Sequence, residues 1–422
     1  MSALDAAPID LRRRNRRFGI TSLLLALLLG WPMAASGSGL DATMRMSSNL
    51  AGGSGSQIGD LTLPVFPVII VLAALIAAIG VTQVARGFDD EGRTTMIVGI
   101  VFALFIAGFL VWAARGDTLT LIDLGRGSLR AAVPLVFGAL AGVLCERAGV
   151  INIAIEAQFL FGAFSAVVIA SVTDSALMGA VGGIAAGVLI GALLGVLSIR
   201  YQTDQIVVGV ILIVLATGLT GFFASQVLAP SPDLNTPAKF RAIEIPLLSD
   251  IPILGPILFD HTALVYVAVG SVVLLQWALF NTRWGLRLRS VGEHPKAADT
   301  VGIKVLATRY RAVLLGGVLA GLGGTFLSID AAASFTEGMS GGKGFIALAA
   351  MLAGRYNPRG ALGAALVFGF ADALATSLQI LDVGVPSTLL LTAPYVATIF
   401  VVAGLVGKLR MPAADGQPYV TE

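Results

Sequence analysis

The chain has 422 residues, of which 56% are hydrophobic and only 12% are charged, and its mean hydropathy is +0.90. Soluble domains contain about 25% charged residues, so this composition excludes a water-soluble enzyme, and its hydrophobicity excludes a disordered chain. The single cysteine, Cys145, excludes a disulfide framework and a cysteine-based zinc site, and a net charge of +2 gives no indication of nucleic-acid binding.

Apolar runs long enough to cross a bilayer recur along the whole chain. A transmembrane helix needs about 20 mostly apolar residues. Twelve segments are candidates: 18–35, 64–85, 96–114, 128–145, 150–171, 177–199, 205–228, 262–280, 312–329, 343–355, 361–380 and 386–407. The segment 343–355 is too short to cross straight, which predicts either a half-helix or a span completed by its neighbours. The fold class is therefore all-α, a polytopic membrane bundle of about twelve spans.

Basic residues predict the orientation of these spans. Five arginines precede the first span, which places the N-terminus in the cytoplasm. Alternation then places 281–311, with its seven lysines and arginines, inside, together with Lys408 and Arg410 near the C-terminus. The loop 229–261 falls outside and has two basic residues against four acids.

The first span also has the features of a signal peptide, with small residues at 34–36 after the apolar run. Cleavage would leave eleven spans. Residues 1–115 carry no chemically specific pattern and are predicted to be accessory spans with an outer linker. Residues 116–410 then form the core, and 411–422 a cytoplasmic tail.

Four polar residues inside the later spans are candidates for a solute path. Because a charge at the bilayer centre costs about 2.5–3.5 kcal/mol on insertion scales, each needs a partner or water. Asn152 and Glu156 are four residues apart, which would place them on one helix face, and Gln158 follows. Gly149 allows a helix break before them, and Asp372 lies in the middle of the eleventh span. The alternative for each residue is a hydrogen bond that joins two helices.

The glycine-rich stretch 335–344 is not a nucleotide-binding loop. Gly338 and Gly342 enclose three residues where a phosphate loop needs four, and Gly344 follows Lys343 in place of Ser or Thr. ATP-driven transport would therefore require an ATPase on another polypeptide.

The segment 281–311 is the most informative part of the chain. Helices in a bundle usually connect in about 2–8 residues, whereas this basic connection has about 30. Pro295 suits the first turn of a helix over 296–300, and Gly302 could end it. Small residues at Ala297 and Ala298 would let this helix approach a groove on a partner. The alternative is a loop lying on the lipid surface.

These residues resemble the permease subunits of bacterial ATP-binding-cassette (ABC) importers, in the family that serves branched-chain amino acids, simple sugars and nucleosides. The spacing Ala297-Ala298-x3-Gly302 is similar to the family's coupling motif, although Lys296 stands where Glu is commonest. The stretch from Leu129 to Phe164 looks closest to the nucleoside-type permeases, and the similarity covers about 125–407.

The resemblance implies a multi-pass protein of the bacterial cytoplasmic membrane, with a core of two inverted repeats. It implies a cytoplasmic ABC ATPase that carries the ATP, a second permease forming a heterodimer, and an extracytoplasmic substrate-binding lipoprotein. This chain would bind no cofactor and would not itself be an enzyme. In this interpretation Pro295, Ala297, Ala298 and Gly302 couple to the ATPase. Asn152, Glu156, Gln158 and Asp372 belong to the substrate path.

Two alternatives stay open at this point. One is a simple-sugar permease of the same family. The other is an ion-coupled secondary transporter in which Glu156 and Asp372 carry protons, although such a carrier would need no docking helix. A membrane enzyme is disfavoured because no nucleophile motif or metal-ligand spacing occurs.

Overall fold

The computed structural model describes residues 11–46, 59–87, 91–381, 392 and 410–420. The predicted span 386–407 lies outside these residues except for Thr392. The chain forms two compact units. The first comprises 1–123, 250–253 and 377–385, and the second comprises 124–249, 254–376 and 386–422.

The first unit contains three long helices and a small sheet. The helices are α1 (Leu11–Leu28), which continues through a π-helical turn into α2 (Ala34–Ser36), then α3 (Val65–Ala85) and α4 (Glu91–Ala113). The strands are β1 (Asp41–Arg45), β2 (Leu61–Pro64) and β3 (Thr118–Thr120). β1 lies between the other two, antiparallel to β2 and parallel to β3. The strands were not predicted, because three to five residues give too little alternation to detect.

The second unit begins with four helices. They are α5 (Leu121–Arg147, whose first three residues belong to the first unit), α6 (Ile155–Thr173), α7 (Ala176–Gly195) and α8 (Gln205–Phe223). π-helical turns extend α7 to Arg200 and α8 to Leu228. The following stretch contains β4 (Ala242–Glu244), α9 (Leu254–Leu258) and β5 (Asp260–Thr262), with β4 and β5 paired antiparallel.

The described remainder of the second unit contains six helices, of which three are short. Its elements are α10 (Ala263–Asn281), α11 (Arg283–Glu293), α12 (Pro295–Thr300), α13 (Val305–Thr325), α14 (Lys343–Ala353) and α15 (Pro358–Ile380). A π-helical segment carries α13 on to Ala332. The connection predicted over 281–311 is therefore mostly helical, because α11 and α12 fill it and α13 starts at Val305 rather than near residue 312.

Glycines let α7 and α13 lie in direct backbone contact. A Cβ atom on Gly187 would lie 2.3 Å from the Gly317 carbonyl oxygen, and one on Gly321 would lie 2.4 Å from the Gly183 oxygen. Small residues spaced four apart are the usual means of close helix packing in lipid, where the hydrophobic effect gives no preference for helix contacts. The abundance of glycine in the apolar runs is thus used here for packing.

Ten helices in the described part of the chain are long and apolar enough to cross a membrane, and they coincide with ten of the twelve predicted segments. The short predicted segment at 343–355 is α14. Its 11 residues extend about 16 Å, roughly half of the ~30 Å hydrocarbon core. α14 is therefore too short to cross by itself, as expected of a half-helix.

Candidate translocation path and coupling region

The N-terminus of α14 is held by a buried carboxylate. Glu156, only 6% exposed, accepts hydrogen bonds from the Ser340 hydroxyl at 2.5 Å and from the backbone N–H groups of Gly342 and Gly344 at 2.9 and 2.7 Å. A carboxylate at a helix N-terminus satisfies free N–H donors and interacts favourably with the helix dipole. The glycine-rich loop therefore binds an anionic group, and that group is the Glu156 carboxylate of the same chain.

Asn152 and Gln158 form a second, fully buried polar contact. The Asn152 amide donates to the Gln158 carbonyl oxygen at 3.3 Å and to the Cys145 sulfur at 3.6 Å. Asn152 Oδ1 and Gln158 Nε2 have no hydrogen-bond partner among the described residues. Neither side chain has any exposed surface, so this pair does not face an open path in this conformation.

The expectation that Asn152 and Glu156 share one helix face was wrong. Gly149 has a φ of +82°, which ends the preceding helix, and α6 begins only at Ile155. Asn152 therefore lies in the turn before α6, where the four-residue helical spacing does not apply. The two side chains contact different neighbours.

Asp372 is the only one of the four path candidates with substantial exposure. It is 38% exposed and pairs with Lys343, 29% exposed, at an Nζ–Oδ2 distance of 3.8 Å. Lys343 opens the half-helix α14, whereas Asp372 lies in the middle of α15. Both charges of the pair are therefore partly exposed. In the sequence, Lys343 was considered only as part of a stretch that does not match a nucleotide-binding loop. Its place at the start of a short apolar helix could have indicated a functional charge.

A second ionic group joins α5 to the start of α10 and the end of α13. Arg130 pairs with Asp330 at 3.1 Å, Asp330 also accepts from the Thr262 hydroxyl, and Arg126 pairs with Asp260 at 2.7 Å. Next to it, His261 Nε2–H donates to the Ile257 carbonyl at 2.7 Å. Burial lowers the pKa of His261, which favours the neutral ring. Arg126 and Arg130 were not singled out in the sequence, because their acidic partners are 134 and 200 positions away.

The short helix predicted over 296–300 is present as α12. Pro295 occupies its first turn, and Gly302, with a φ of +82°, follows its end. The Gly302 N–H donates to the Asp299 carbonyl, and the Ile303 N–H to the Ala298 carbonyl. This arrangement closes the helix with a left-handed glycine, as the sequence suggested.

The two alanines of α12 face in different directions. Ala298 is 3% exposed and packs against Val291, Val305 and Tyr419. Ala297 is exposed and lines an open cleft of about 1010 Å³ formed by α11, α12 and the start of α13. Val301, 75% exposed, lines the same cleft. Ala298 therefore packs α12 against the rest of the chain, whereas Ala297 and Val301 are exposed.

The described C-terminal residues 410–420 pack against this region. Asp415 lies beside Glu146 and Arg309, and burial raises the pKa of Asp415 to about 6. Tyr356, also in contact with Glu146, has a pKa raised above its ordinary value by burial.

Comparison with known proteins agrees with this architecture. Residues 126–406 match the family described as "branched-chain amino acid transport system / permease component". The chain belongs to this family, so it is an integral membrane permease subunit of an ABC transporter and a transport component rather than an enzyme. Membership implies that ATP is used by a partner ATPase and that a substrate-binding partner exists.

The match to this chain covers most of the length of several individual relatives. The guanosine ABC transporter permease protein NupQ of Bacillus subtilis is 40% identical over 299 residues, 68% of this chain and 93% of the relative. The nucleoside ABC transporter permease protein NupC of Lactococcus lactis is 41% identical, with 68% and 94% covered. A putative glucose ABC transporter permease protein, TsgC13 of Haloferax volcanii, is 32% identical, with 70% and 97% covered. No solved structure matches the chain significantly.

Proposed function

We propose that this protein is the membrane-spanning subunit of an ATP-driven nucleoside importer. The observation that carries the proposal is the identity of about 40% to a guanosine and a nucleoside permease over nearly their whole length, against 32% to a putative glucose permease. An external binding lipoprotein would deliver the solute, and a second, different permease would complete the membrane channel. A simple-sugar permease is the second candidate, supported by the more distant relative.

The solute class can be tested by measuring uptake in cells from which the gene has been deleted, with and without a plasmid that carries it. We expect the plasmid to restore accumulation of radiolabelled guanosine, and an excess of unlabelled adenosine or inosine to compete. Glucose and leucine should not compete. Restored uptake that glucose blocks and nucleosides do not would replace the nucleoside assignment with the sugar alternative.

The Lys343–Asp372 pair supports a location for the solute path. Both side chains are partly exposed, yet they belong to a half-helix and to the middle of a spanning helix. Charged groups at such positions are costly in lipid and usually face a protein interior or a water-filled cavity. Together they offer a donor and an acceptor to the hydroxyls and base edges of a nucleoside. In this proposal Asn152, Glu156 and Gln158 do not face the solute but support the segments that border the path.

Asp372→Asn and Lys343→Gln should each lower uptake about tenfold or more while assembly stays near normal. Assembly should persist because a partly exposed ion pair contributes at most about 1 kcal/mol to stability. Initial uptake rates and the amount of purified complex measure the two effects. Val367→Ala, a partly exposed position away from Asp372 around α15, is the matched control. Normal uptake in both charge variants would remove the pair from the path.

The membrane orientation can be tested with single cysteines in a Cys145→Ser background. Lys296→Cys, in α12, should react with a membrane-impermeant maleimide only after the cytoplasmic face is opened. Arg241→Cys, in the predicted outer loop, should react in intact cells. Both positions are exposed, so access depends on the side of the membrane. Reaction of Lys296→Cys in intact cells would reverse the proposed orientation.

A further inference from the structure

The C-terminal residues 412–419 contact both short helices of the coupling region. On α11, the Gly292 carbonyl accepts from the Ala414 N–H at 2.8 Å, and the Glu293 carboxylate accepts from the Ala413 N–H at 3.2 Å. On α12, Asp299 accepts from the Tyr419 hydroxyl at 2.7 Å. The segment therefore lies across α11 and α12 and is bonded to each.

Tyr419 supplies part of the surface against which α12 packs. Its ring is buried against Val291, Ala298 and Val305. α12 has only six residues, too few for a helix to be stable by itself in water, so its position depends on tertiary contacts. Movement of α12 by a partner would therefore be transmitted to Tyr419 and the segment that carries it.

The same segment also reaches the helix break between α5 and α6. A Cβ atom on Gly149 would lie 3.0 Å from the Ala414 carbonyl oxygen, and one on Gly416 would lie 2.8 Å from the Ile151 side chain. The buried Arg309 of α13 donates to the Gln417 carbonyl at 2.8 Å. Beyond the break, α6 carries Glu156, which holds the N-terminus of α14.

We infer that residues 412–419 form a strap that transmits movement of α12 to the break at 148–154, and so to the half-helix that borders the path. The strap is a positioning element, and Tyr419 is its contact with α12. Energetic coupling between distant sites needs a physical connection with two arrangements, and the strap provides the connection. The inference rests on the proposed importer function for the driving movement, but not on the identity of the solute.

The experiment measures whether the break responds to the ATPase. Ile153→Cys, in a Cys145→Ser background, places a probe in the break at a partly exposed position. The complex with its ATPase is purified, and the alkylation rate of this cysteine is compared in ATP alone and in ATP with vanadate. No solute is needed, so a wrong solute class would appear in the uptake experiment and not here.

With an unaltered tail we expect vanadate trapping to change the alkylation rate at least threefold. Tyr419→Ala should abolish the change and Tyr419→Phe should reduce it, with ATPase still co-purifying. Val420→Ala, at the adjacent 62% exposed side chain, should keep the full change. If Tyr419→Ala does not assemble, Tyr419→Phe decides alone. A full response in the Tyr419 variant that decides, or no response in the unaltered complex, would overturn the inference.

Discussion

Glu156→Ala is expected to leave little folded protein, rather than to yield an assembled permease that transports slowly. The substitution leaves the Ser340 hydroxyl and the Gly342 and Gly344 N–H groups without their acceptor in a buried site. Each unsatisfied buried donor costs about 1–3 kcal/mol, so the total loss should be about 3 kcal/mol or more. Size-exclusion chromatography of a fluorescent fusion and the melting temperature in detergent measure this loss.

Two further variants test whether the loss of stability comes from the missing acceptor oxygens of Glu156. Glu156→Gln keeps an acceptor oxygen and should recover part of the stability. Asp372→Ala removes an acid of the same unit that makes a partly exposed ion pair, and it should fold normally. If Glu156→Ala folds as well as the unaltered protein but does not transport, Glu156 acts on the solute and not on α14.

Ala298→Arg is expected to separate the permease from its ATPase, with co-purified ATPase falling at least tenfold. Ala298 is buried against Val291, Val305 and Tyr419, so a much larger side chain would have to displace these neighbours or move α12. Overpacking a core costs about 1–3 kcal/mol, and a buried unpaired charge adds to this. The six-residue α12 would then leave its seat. The ratio of ATPase to permease after affinity purification gives the answer.

Ala297→Ser is the matched control, since Ala297 is the adjacent alanine of the same helix but is exposed, whereas Ala298 is buried. Its change in volume is small, so the ATPase should remain bound. Retention of the full amount of ATPase by Ala298→Arg would show that the seat of α12 does not control docking. The coupling role of Pro295, Ala297, Ala298 and Gly302 would then lose its structural support.

Local patterns predicted the elements that depend on local physics. Ten spans appeared where apolar runs of sufficient length occur, and α12 appeared where proline and glycine bracket a short polar stretch. The half-helix α14 followed from an apolar run too short to cross. In each case length, hydropathy or backbone preference within about 25 residues contains the information.

Contacts between distant segments could not be predicted in the same way. Glu156 and Gly344 are 188 positions apart, and Tyr419 and Asp299 are 120 apart. Nothing in either local pattern names the other partner. The assignment of Asn152 and Glu156 to one face failed for a related reason, because Gly149 was recognised as a possible break but the helix was still assumed to include Asn152. The spacing argument failed because the next helix begins only at Ile155, after Asn152, rather than directly after Gly149.

The most direct test of the account is solute transport by the purified system in proteoliposomes. The permease, its partner permease and its ATPase are reconstituted with the binding protein, and [³H]guanosine accumulation is followed. The account predicts concentrative uptake that requires ATP and the binding protein, and that stops when the ATPase is replaced by a hydrolysis-deficient variant. Accumulation that proceeds without ATP and collapses when a protonophore dissipates the proton gradient would contradict it.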